Sequence, residues 1–367
     1  MPVSMRYASR DQLLDSEWDN QRKDWKRPPV DRETLRALSQ RSTLNGLLRI
    51  FVFLVLLGLV AAATSYVFRQ VNPWLAIPVL YVYYFLFGFL VAIAHELQHG
   101  TAFKVKHQWI NTLWLYVIHA FMWQSPTYAV ISHRLHHRYT MVRGYDPETD
   151  WPEVITSKWL RGFFLHLLLR ILVVGAPVQL VRDVRTQLTR ASGRKDWMME
   201  RHCTAKDVRA IRIESAAILA FHLAVATVGI VFRIWELLAF VTIAWQIGRP
   251  FEQFWHATKH IARPYNVNDH RLNTRSVRVN WLIKQIFWGL DDHVDHHLYP
   301  GVPSRNLPRL HEILGPHLPD PESVFGCWAE MFEITKEKDR DPNVEFVSVH
   351  RPGAKEQDDA LAEGGQP

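Results

Sequence analysis

Two stretches of this chain contain no charged residue: 50–68 (IFVFLVLLGLVAAATSYVF) and 74–94 (WLAIPVLYVYYFLFGFLVAIA). At 1.5 Å of rise per residue, a helix of about 20 residues spans roughly 30 Å, the thickness of a bilayer's hydrocarbon core. Buried helices of soluble cores seldom run this far without a charge, so both stretches read as transmembrane helices. A long polar leader precedes the first of them, unlike a cleaved signal peptide. A second pair lies at 216–232 and 234–247, parted only by Arg233. Short connectors make each pair a hairpin. The expected fold is therefore all-α and membrane-integral, with four spans at about 50–68, 74–94, 213–232 and 234–250. The expected organisation is a cytosolic leader over 1–47, a membrane domain over 48–335 and a polar, flexible tail over 336–367.

The mean hydropathy of −0.11 hides these runs because the rest of the chain is highly charged. Lys and Arg number 43 against 36 Asp and Glu, a net charge of +7. Nearly all the cations lie in the leader, in 101–210 and after 248. Cationic loops stay cytoplasmic, which places both termini and the central segment on the cytosolic side. The bilayer is thus the first partner, and the positive charge suits its anionic surface. Nucleic acid is the poorer reading, since no basic stripe or recognisable module is present. Segments 109–123 and 159–181 are apolar but interrupted by His119 and by Arg161, His166 and Arg170; they read as helices lying in the interface. Two cysteines, Cys203 and Cys327, cannot build a disulfide framework, which fits a reducing compartment.

Histidine is in excess, at 19 residues. Ten of these fall in four groups: His95 and His99 (HELQH), His133, His136 and His137 (HRLHH), His256 and His260 (HATKH), and His293, His296 and His297 (HVDHH). At this composition an HxxxH arises by chance about once per chain, but an HxxHH only about 0.05 times. Two HxxHH groups therefore carry real information. On a helix, positions i, i+3 and i+4 share a face, so HxxHH is expected to present three imidazoles to one point. The groups follow the apolar hairpins and are expected to converge in a cytosolic helical cap holding a dimetal site. Ten imidazoles are too many for one four- to six-coordinate ion. Iron, zinc, copper and nickel all accept such ligands. Acceptors for the second ring nitrogens are expected from Asp292 and Asp295, with Glu252, Asp146 and Asp150 as further candidates. His222, alone on an apolar run, is read as a structural hydrogen-bonded histidine.

HELQH also satisfies the HExxH pattern of zinc metalloproteases, with Glu96 as general base. That alternative leaves both HxxHH groups without a role. The boxes HELQHG, HRLHHRYT and HVDHHLYPGVP, set among two membrane hairpins, resemble the membrane fatty acid desaturase family over roughly residues 45–335. The resemblance implies a non-haem diiron centre held by His95, His99, His133, His136, His137, His293, His296 and His297. It implies a further ligand from HATKH, His260 more directly than His256, which stands where some members carry a water-bridging Asn. Asp295 departs from the Glu common at its place, and both are acids.

The activity so implied is an O2-dependent oxidation of an unactivated C–H bond on a lipid-like chain. Desaturation of a fatty acyl chain is the first reading; hydroxylation of an alkyl, sterol or carotenoid-like chain uses the same ligands. No haem signature, CxxC pair or dinucleotide fingerprint occurs, so electrons are expected from a separate ferredoxin, rubredoxin or haem protein.

Overall fold

The computed structural model describes residues 6–9, 25–152 and 154–347, and the chain is mostly helical. In chain order its elements are β1 (Arg6–Ser9), α1 (Arg32–Leu38), α2 (Thr43–Tyr66), α3 (Pro73–Gly88), α4 (Leu90–His99), α5 (Gln108–Phe121) and α6 (Pro126–Tyr139). There follow α7 (Ser157–Ile171), α8 (Ala176–Ala191), α9 (Trp197–His202), α10 (Ala205–Val231) and α11 (Ala244–His256). The chain continues through α12 (His270–Asn273), β2 (Val277–Arg278), α13 (Trp281–Ile286), α14 (His293–Leu298), α15 (Leu307–Leu314), β3 (Glu322–Ser323), α16 (Val324–Arg340) and β4 (Val344–Val347). Two compact units form, one from residues 1–40, 133–163 and 255–367, the other from 41–132 and 164–254.

The second unit carries the apolar helices. Ser42 starts α2 by accepting from the Asn45 amide at 3.3 Å, and Asn72 starts α3 by accepting from the Trp74 amide at 2.8 Å, ahead of Pro73. Among the described residues, three helical stretches are long and apolar enough to cross a membrane: Thr43–Val71, Pro73–His99 and Ala205–Val231. Leu44, Phe51, Val52, Leu59, Trp74 and Leu75 lie exposed along the first two, which is costly in water and unremarkable in lipid. Together these features make it a membrane protein.

The expected fourth span does not form as one helix. Trp235–Leu237 is a single turn, Leu238–Thr242 is a wide π turn, and the chain breaks at Ile243 before α11 begins. Carbonyls released from the helical ladder are taken by side chains instead. Tyr83 Oη donates to Phe240 O at 2.7 Å and Trp123 Nε1 to Thr242 O at 3.0 Å. α11 then meets α3 backbone to backbone, since a Cβ on Gly88 would lie 2.1 Å from Gly248 O. The other apolar stretch, 159–181, is also not one helix: α7 and α8 meet at a bend of 98°. If that bent pair counts as one span, the candidates number four.

The first unit is built mostly on short helices, α16 being the exception. Leu38, Val294, Leu298, Val302, Leu307, Leu310 and Leu314 bring α1, α14 and α15 onto one core. Arg275, buried, donates to Thr258 O at 3.0 Å, to Ile261 O at 2.7 Å and to Glu330 Oε1 at 2.7 Å. β2 pairs with β3 in parallel, and β1 with β4 antiparallel. Residues 336–340 and 344–347, placed by sequence in a loose tail, are the end of α16 and a strand; the tail beyond 347 lies outside the described residues.

Candidate metal centre

Each HxxHH group lies on a helix, His133, His136 and His137 in α6 and His293, His296 and His297 in α14. Neither group points at one place, contrary to the expectation from spacing. Successive helical residues are turned by about 100°, so the third and fourth positions of a turn diverge even though each neighbours the first. The histidines sort into two sets that interleave the boxes. His136, His260, His293 and His297, all buried, form one, with ligand atoms within 4.8 Å of one another. His133, His137 and His296 lie equally close in the other.

Within the buried set, His260 Nε2 and His297 Nε2 each lie 3.1 Å from His293 Nε2. The outward nitrogens of His136, His260 and His297 are spoken for. His260 Nδ1 donates to Asn273 O at 3.1 Å and His136 Nδ1 to Asp146 Oδ2 at 2.9 Å. The Thr140 hydroxyl donates to His136 O at 2.7 Å, which leaves its oxygen to accept from His297 Nδ1 at 3.2 Å. An imidazole that donates through Nδ1 presents a lone pair at Nε2. Lone pairs facing one another at these distances repel unless a cation lies among them. Burial pushes His260, His293 and His297 well below the usual histidine pKa, so they stand neutral, as ligands must. Burial would lower His136 too, but the Asp146 carboxylate outweighs it and raises the value. These residues fit a metal ion held by imidazole nitrogens.

The second set repeats the pattern more openly. His137 Nε2 lies 3.1 Å from both His133 Nε2 and His296 Nε2. Glu148 receives His133 Nδ1 at 3.3 Å, and its side chain is 29% exposed against 1% for Asp146. Asp146 is in turn fixed by the Met141 amide at 2.9 Å and the Thr149 hydroxyl at 2.7 Å.

His95 and His99 end α4 in the other unit, their ring centroids 4.8 Å apart, where Gly100 closes the helix in the left-handed conformation. Glu96 there accepts from the Thr101 hydroxyl at 2.8 Å. His256 joins neither set; its ring lies 6.4 Å from that of His293. Asp292 is paired with Lys284 at 2.9 Å, and Asp295 with His311 at 3.0 Å, so these bonds go to side chains outside the two sets. Asp292, Asp295 and His311 also cluster, but the Lys284 ammonium already occupies a cation's place beside Asp292. Glu252 is paired with Arg249 and Asp150 is exposed. Asp146, one of the weaker candidates by sequence, is the acid that meets a clustered imidazole most closely. Glu148, Thr140 and Asn273 were missed, although the DPETD run shortly after the second box was a usable signal for the two acids. His222, read as structural, bonds Ala120 O at 3.0 Å and stacks on Trp123.

The model of the fatty acid desaturase family matches residues 72–327. No curated protein matches the chain.

Proposed function

The chain belongs to the fatty acid desaturase family, an oxidoreductase family, and from that premise we propose that it introduces a double bond into a fatty acyl or related lipid chain at the expense of O2. The single observation that carries this reading is the double convergence of Nε2 atoms, two sets where one would serve a simple Lewis-acid hydrolase. We assign one iron to each set, and His95 and His99 as further ligands of the diiron centre, as the family's boxes imply. His256 remains a candidate for contact through water. Bound iron supplies the activation of O2 needed to remove hydrogen from an unactivated carbon.

The chain's own residues do the rest. Asn273 O, Thr140 and Asp146 fix three imidazoles with their Nε2 atoms forward, so no reorganisation is needed when metal is bound. Asp292 and Asp295 support α14 through Lys284 and His311. The domain over 48–335 provides both the apolar helices that receive the lipid chain and the histidines that meet it. The loops rich in Lys and Arg favour a cytoplasmic active side and cytoplasmic termini. A separate ferredoxin, rubredoxin or haem protein supplies electrons.

Hydroxylation differs only in the fate of the carbon once hydrogen is removed. Mass spectrometry of lipids from a host expressing the chain decides between them. A product two mass units lighter supports desaturation; one sixteen units heavier makes the protein a hydroxylase. One zinc and no iron in the purified protein would sink both readings and revive the metalloprotease reading of HELQH.

A further inference from the structure

We propose that Trp25 and His270 form the port through which an acidic one-electron carrier protein reduces the metal centre. The proposal rests on the diiron reading above and adds the place where the partner docks. The segment 25–30 is tied down at several points. The Lys26 amide donates to Asn268 O at 2.9 Å, Tyr299 Oη donates to Pro28 O at 2.6 Å, and Trp25 Nε1 donates to Arg138 O at 3.3 Å. These ties lay the indole flat on the His270 ring, with centroids 4.0 Å apart and planes within 13°. His270 is buried and belongs to neither ligand set, yet its ring lies 5.1 Å from that of His297. Trp25 itself is only half-buried.

Two stacked rings therefore lead from the surface to a member of the buried set. Electron tunnelling weakens steeply with every ångström of gap, so close ring contact favours this route. The rim of the port is cationic: Lys26, Arg27 and Arg138 are exposed, while Asp269 is engaged by Arg271 at 2.8 Å. Such a rim steers an acidic partner and speeds its encounter at low salt. One electron at a time leaves the carrier, which is oxidised, and reduces the site behind His297 by one. Two such transfers, two protons and two hydrogens from the lipid chain convert one O2 into two waters.

The test uses full-length, iron-loaded protein in vesicles with a [2Fe–2S] ferredoxin, a rubredoxin and a small acidic b-type cytochrome as probes. We expect at least one to bind and to drive turnover. The triple variant Lys26→Glu, Arg27→Glu, Arg138→Glu should raise the KM for that carrier about tenfold or more while kcat at saturating carrier holds. Binding of the same carrier to metal-free protein, read by surface plasmon resonance, should weaken by a similar factor. Trp25→Leu should slow reduction of the iron by bound carrier about tenfold in single-turnover absorbance, and Trp25→Phe, which keeps a ring, should restore most of the rate. The port is overturned if none of the three carriers binds the wild type, if charge reversal leaves both KM and metal-free binding unchanged, or if Trp25→Leu reduces as fast as wild type. Failure of the underlying reading looks different: wild-type protein that reduced methyl viologen cannot reduce would have no redox-active iron at all.

Discussion

The two histidine sets share one chemistry and differ in shelter. In the set of His136, His260, His293 and His297 every ring is buried, and the outward nitrogens of His136, His260 and His297 meet a buried carboxylate, a backbone carbonyl and a hydroxyl. In the set of His133, His137 and His296 the outward partner of His133 is Glu148, farther away and part-exposed. Imidazoles held by short, buried bonds lose little freedom when an ion binds, whereas looser ones must be ordered first. The comparison teaches that two histidine sets of nearly equal composition need not bind metal alike. The buried place is expected to hold its ion tightly and release it slowly, and the open one to exchange.

Removing a ligand breaks the comparison outright and gives the largest effect. His297→Ala and His136→Ala should each lose at least one iron per chain and all measurable turnover, because the neighbouring lone pairs lose a shared partner. His133→Ala should also stop turnover but leave the buried ion in place. Iron analysis of the purified variants checks this. Equal iron loss from both kinds of variant would show that the sets bind as one unit.

Altering a supporting acid should act less severely. Asp146→Asn removes the charge that faces His136 and should weaken iron retention by roughly 10- to 100-fold. Glu148→Gln faces water and should cost only a few-fold. Titration with a chelator under nitrogen reads both, and a larger loss in Glu148→Gln would reverse the ranking. On the same logic, a chelator should strip wild-type protein in two phases, the first removing about one iron. A single phase would mean that shelter does not separate the two places.

How far this could be read from sequence differs between boxes and their surroundings. HRLHH and HVDHH were legible because helical spacing is local and the pattern is improbable by chance. Their division between two sets was not, since it turns on how α6 and α14 face one another, which spacing alone leaves open. Asp295 looked like a supporting acid because it precedes paired histidines, yet packing of α15 gives it to His311. The apolar runs 50–68 and 74–94 announced their helices, as length and lack of charge require. The break at Ile243 stayed hidden in an equally apolar run, because the groups that capture the freed carbonyls, Tyr83 and Trp123, are distant in sequence.

The mildest test of the comparison lies behind the buried set. Arg275 grips Thr258 O and Ile261 O on either side of His260 and is itself held by Glu330. Burial would raise the Glu330 pKa, but Arg275 and Arg263 outweigh it and hold the carboxylate below its usual range. A carboxyl depressed on folding stabilises fully above its unfolded value, about 4.3, and that contribution disappears as pH falls through the lower folded value. The first unit of the wild type should therefore lose stability steeply below about pH 4. Glu330→Gln leaves the Arg275 charge buried without a counter-ion and should cost about 3 kcal/mol at neutral pH. In the same variant the acid slope should flatten. Its iron retention should drop only slightly, and from the buried set alone, because His260 keeps its own bond to Asn273 O. Thermal unfolding in detergent between pH 3 and 7, with iron counted alongside, reads both. An acid slope as steep in Glu330→Gln as in wild type would assign the sensitivity elsewhere, and equal iron loss from both sets would tie the open set to the same frame.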